Sequence, residues 1–87
     1  MEIEYRDTAL EDLEYWKKSG NKQVQKKIEV LLQDILKHPD SGLGQPEKLK
    51  HELAGYSSRR IDKKNRLVYR CTDEKIIVLS LRGHYFN

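Results

Sequence analysis

The sequence predicts an α+β fold in the order β-α-α-β-β-β, with two helices packed on one face of a small, antiparallel-rich sheet. Three observations point there. Residues 24–36 carry a single apolar stripe at helical spacing. From Tyr56 onward the pattern changes to short β-rich runs separated by tight turns. The chain has 87 residues, enough for one domain over 1–87 and no more.

Residues 2–6 alternate polar and apolar side chains, as a short strand does. Thr8-Ala9-Leu10-Glu11 fits a capping box, in which Thr8 accepts a backbone N–H and Glu11 reaches back. Leu10, Leu13 and Trp16 follow at helical spacing, and Ser19-Gly20-Asn21 ends the helix. Asn21 is the natural cap of a second helix. In it Val24, Ile28, Leu31, Leu32, Ile35 and Leu36 form one stripe, and Pro39 stops it. Residues 39–48 read as one long loop, a length that often carries function. Strands follow at about 57–62, 66–72 and 75–82, joined by turns at Lys63-Lys64-Asn65 and Asp73-Glu74. Connections this short make an antiparallel meander. Its last two strands are apolar on both faces, so the face away from the helices needs cover from the chain or from a partner.

Composition excludes several classes. The longest apolar runs are four residues, such as Ile76-Ile77-Val78-Leu79, so no membrane-spanning helix is expected. The acidic start Met1-Glu2-Ile3-Glu4 is not a signal peptide. The single cysteine, Cys71, excludes a disulfide framework and reads as a small core residue in mid-strand. His38, His51 and His84 have no ligand spacing, so neither metal nor cofactor is expected. Gly42 and Gly44 precede Pro46, without the lysine and serine of a phosphate-binding loop. The expectation is a small cytoplasmic domain. Its net charge of +3 is unevenly spread. Residues 1–40 hold seven Lys/Arg against nine Asp/Glu, and residues 41–87 hold ten against five. The second half is therefore the expected contact for a polyanion.

That half also holds the groups that RNA cleavage without a metal requires. A carboxylate takes the 2′-hydroxyl proton, a histidine protonates the leaving oxygen, and guanidinium and ammonium groups stabilise the phosphate. An aromatic side chain stacks on a splayed base. Taken singly, each residue also has a structural reading. Arg59 and Arg60 point to opposite faces of a strand, so one of them suits an internal ion pair.

The motif string is long and ordered. It runs Gly42-x-Gly44-x-Pro46-Glu47-x-Leu49-Lys50-His51, Leu53-x-Gly55, Ser58-Arg59-Arg60-Ile61, Arg66-Leu67-Val68-Tyr69 and Arg82-x-His84-Tyr85. In this it resembles the YoeB/Txe toxins of the RelE-like superfamily, over essentially the whole chain. The resemblance implies a RelE-like fold and a ribosome-dependent endoribonuclease, an mRNA interferase acting in the ribosomal A site. It implies Glu47 as general base, His84 as general acid and Arg66 as phosphate stabiliser. Lys50 and Arg60 become phosphate contacts and Tyr85 a substrate-positioning residue, with His51 and Arg59 as further matches to the motif. The implied partners are the ribosome with its mRNA and a cognate YefM-like antitoxin. A homodimer stays open, and no membrane is involved. Two other readings stand beside this one: a ParE-like toxin that poisons DNA gyrase, which lacks this nuclease set, and a non-catalytic RNA-binding module.

Overall fold

The structure, a computed structural model, describes residues 1–83. Five strands form one mixed sheet in the order β1-β5-β4-β3-β2. β1 is Glu2–Tyr5, β2 Glu47–Lys48, β3 Ser57–Arg60, β4 Arg66–Cys71 and β5 Lys75–Ser80. β2 to β5 are antiparallel neighbours, and β1 runs parallel to β5. Helices α1 (Asp7–Ser19) and α2 (Lys22–Lys37) pack on one face. The predicted order of elements holds, with β2 added. It lies inside the segment read as one long loop, where Glu47 and Lys48 pair with Ser58 and Ser57. Two residues are too few to show a period, so only the pairing reveals the strand.

The start of α1 corrects the capping box. Arg6 still donates its N–H to Val78 at 2.9 Å, as an extension of the sheet, and then accepts from Leu10 N at 2.9 Å. The helix therefore begins at Asp7, flanked by Arg6 with no side-chain cap, and Thr8 falls inside the first turn. The buried stripe is Ala9, Asp12 and Trp16, with Leu13 beside it, while Leu10 is 52% exposed. A buried aspartate hid this stripe from a hydrophobicity pattern. Gly20 closes α1 in the left-handed region, φ 71°, which glycine enters without steric cost. Asn21 caps α2 as expected, accepting from Val24 N at 3.1 Å.

The core joins the α2 stripe to Leu67, Tyr69, Ile76 and Val78 of the sheet. Strand alternation sends Arg66, Val68 and Arg70 of β4 to the other face. There Val68 is 0% exposed and Ile77 3%, so the chain itself keeps water from the second apolar face. Cys71 corrects its assignment to the core: it ends β4, where the strand leaves the packed layer, and is exposed. Among the described residues no helix is long and apolar enough to cross a membrane.

Candidate active site

The face of the sheet away from the helices gathers Glu47, Ser58, Arg60 and Arg66. Register fixes this: Glu47 lies opposite Ser58, Ser58 opposite Val68, and Arg60 opposite Arg66. Two like charges directly across a strand pair repel, an arrangement a fold does not adopt for stability. Arg66 is also only 5% exposed. Its Nε donates to Ser58 Oγ at 2.8 Å and its Nη2 to the Gln45 carbonyl at 3.1 Å. Its Nη2 also lies 3.9 Å from Glu47 Oε2, and that carboxylate remains 53% exposed. Burial holds the Arg66 guanidinium below the ordinary arginine range. Glu47 opposes that shift, and the Arg60 charge adds to it. A desolvated, oriented cation beside a like charge is a receptor for an anion such as phosphate.

The loop before β2 is held by Arg59, which alternation sends to the helix face. Arg59 is 0% exposed. Its Nη1 bonds Asp34 Oδ2 at 2.6 Å and the Leu43 carbonyl at 3.3 Å. Its Nη2 donates to the carbonyls of Ser41, at 2.8 Å, and His38, and its Nε to Tyr69 Oη at 3.1 Å. Tyr69 in turn donates to the Pro39 carbonyl at 3.1 Å. This corrects Arg59 as an RNA contact: its donors are spent on Asp34, Tyr69 and the carbonyls of His38, Ser41 and Leu43, and it is the internal ion-pair member of the two arginines. Asp34 is held below the ordinary carboxylate range, chiefly by the Leu43 N–H and then by Arg59, against the opposing effect of burial. The loop so held presents the Gln45 carbonyl to Arg66, with Gln45 itself in the left-handed region at φ 52°.

Lys50 and His51 lie just beyond β2, exposed, at the start of a short 3₁₀ turn over His51–Leu53. His51 has φ 56°, a backbone region unfavourable for a side-chain-bearing residue. His84 and Tyr85 lie outside the described residues. The chain leading to them is pinned at three points. Leu81 donates its N–H to Asp12 at 2.9 Å and accepts from Trp16 Nε1 at 2.9 Å. Arg82 sits 3.8 Å from the centroid of the Tyr15 ring. Gly83 donates to Asn65 Oδ1 at 2.9 Å, and its carbonyl accepts from the Arg66 N–H at 2.9 Å. Among the described residues no group of three or more His, Cys, Asp or Glu comes together to hold a metal ion.

Sequence reasoning missed Ser58, the Gln45 carbonyl, Asp34 and Asp12. Ser58 was recoverable, since a β3–β4 hairpin in register sets it two residues along the same face from the Arg60–Arg66 pair. Nothing local marks the other three.

Residues 5–85 match a family described as the YoeB-like toxin of bacterial type II toxin-antitoxin systems. Toxin YoeB of Streptomyces coelicolor is 44% identical over 85 residues, covering 98% of this chain and 100% of that protein. Two solved structures from Staphylococcus aureus are each 41% identical, with 98% of both chains covered. One is a heterotetrameric YoeB–YefM toxin–antitoxin complex, with a TM-score of 0.88, and the other a YoeB dimer, with a TM-score of 0.90.

Proposed function

Because the chain belongs to the YoeB-like toxin family of bacterial type II toxin–antitoxin systems, we propose that it is a ribosome-dependent endoribonuclease that cuts mRNA in the A site. The observation that carries this reading is the pairing of a buried, oriented Arg66 with an exposed Glu47 at 3.9 Å. Arg60 stands opposite Arg66 on the same sheet face. Glu47 takes the proton of the 2′-hydroxyl, whose oxygen attacks the adjacent phosphorus. Arg66, with Arg60 and Lys50, stabilises the charge on the five-coordinate phosphorus. The bond to the 5′-oxygen breaks, and His84 gives that oxygen its proton. The products are a 2′,3′-cyclic phosphate and a 5′-hydroxyl, with no metal and no cofactor taking part. Tyr85 positions the substrate. General acid–base catalysis supplies roughly 10²–10⁴-fold, and the ribosome supplies orientation of the mRNA.

The site therefore works in the cytoplasm, where ribosomes are. A cognate YefM-like antitoxin restrains it, as the S. aureus complex has YoeB with YefM, and the dimer from the same organism favours a second copy as a further partner. Cell-free translation followed by mapping of mRNA ends tests the assignment. Glu47→Ala and His84→Ala each abolish the cuts if it holds; unchanged cutting in both would sink it.

A further inference from the structure

On β4 the residues facing away from the helices are Arg66, Val68 and Arg70. Arg70 lies four residues from Arg66, about 14 Å along a strand, too far for one nucleotide to touch both. Its guanidinium carbon lies 5.9 Å from the centroid of the Tyr56 ring, and both side chains are half-buried. Tyr56 precedes β3, two residues before Ser58, which holds Arg66. Val68, between the two arginines on β4, and Ile77, opposite Arg70, are buried beneath this face. Glu4, opposite Ile77 on β1, is tied to Lys75 at 2.8 Å. The face thus carries a row of arginines, with an aromatic–guanidinium layer at the end away from Arg60 and Arg66.

Tyrosine rings and arginine planes are the side-chain surfaces on which single-stranded bases stack. We propose that Tyr56 and Arg70 form a second nucleotide subsite, which stacks the base and contacts the phosphate of a nucleotide flanking the one at Arg66. The inference rests on reading this face as an RNA site, but it is a statement about binding and does not need cleavage to be true.

The test is fluorescence anisotropy of a labelled, 2′-O-methylated single-stranded RNA 12-mer, which cannot be cut, titrated with the full chain at several salt concentrations. Tyr56→Ala weakens binding roughly 5- to 150-fold, the range for loss of one stacked base. Tyr56→Phe keeps parental affinity. Arg70→Gln lowers the slope of log K against log salt by about 0.7, the value for one phosphate contact on a single strand. Neither residue belongs to the core cluster, so thermal melts should match the parent; should Tyr56→Ala unfold, the Arg70→Gln slope decides. Parental affinity and slope in both variants would overturn the proposal, as would a parent that does not hold the oligonucleotide at low salt. Loss of an acidic antitoxin-like peptide with RNA binding intact would also overturn it and make the pair a protein contact. The cleavage reading fails separately, through unchanged mRNA cutting in both Glu47→Ala and His84→Ala.

Discussion

Arg59 and Arg60 are neighbours on β3, and the two-residue period of a strand sends them to opposite faces. One becomes the buried hub of a loop and the other a surface cation beside Arg66. Their alternation was readable in the sequence, but which of them turned inward was not. That depended on Asp34, twenty-five residues away on α2. Two predictions belong at this scale. Arg59→Met leaves several carbonyls and a carboxylate without their donor, so it should lower stability by about 3 kcal/mol in urea unfolding, with RNA cleavage lost only as the loop loosens. Arg66→Lys keeps the charge but loses the fork that joins Ser58 Oγ to the Gln45 carbonyl. Melting should change little, while mRNA cutting in cell-free translation falls at least tenfold.

At the scale of elements, α2 was the most legible, because six apolar residues repeat at the helical period and five of them are buried. Leu31→Ala should cost about 2–5 kcal/mol in chemical unfolding, since Leu31 is fully buried against the sheet. The loop from Pro39 to Pro46 was legible only as a loop. Its glycines look like flexible spacers, but they are there for close approach. At Gly44, φ is +80°, and a Cβ would lie 2.9 Å from Leu31 Cδ2 and 3.1 Å from the Arg60 carbonyl. Gly44→Ala should therefore destabilise the fold by more than about 1 kcal/mol, and its cutting activity should drop further than its melting temperature suggests. The reason is geometric: the same loop presents the carbonyl that orients Arg66.

For the molecule as a whole, stability should depend on acid through Asp34. Its carboxyl is held below the ordinary 3.8 in the folded chain, chiefly by the Leu43 N–H and then by Arg59. A depressed folded value means the contribution is complete above the unfolded value and is lost as pH falls through the folded one. Urea unfolding of the parent should weaken steeply below about pH 4, and Asp34→Asn, already weaker at pH 7, should lose less over the same range. An equal loss in both would show that Asp34 does not govern the acid limb.

The sequence by itself determined the helices, the meander, the basic second half and the ordered motif from Gly42 to Tyr85. Each of these is written in local spacing, where period and turn chemistry act between near neighbours. Only the tertiary structure decided that Glu47 begins a strand, that Arg59 belongs to the core, that Asp12 and Trp16 hold Leu81, and that Tyr56 meets Arg70. Those facts depend on pairs from 11 to 69 residues apart, joined by sheet register and by buried polar groups that must find partners wherever the fold brings them.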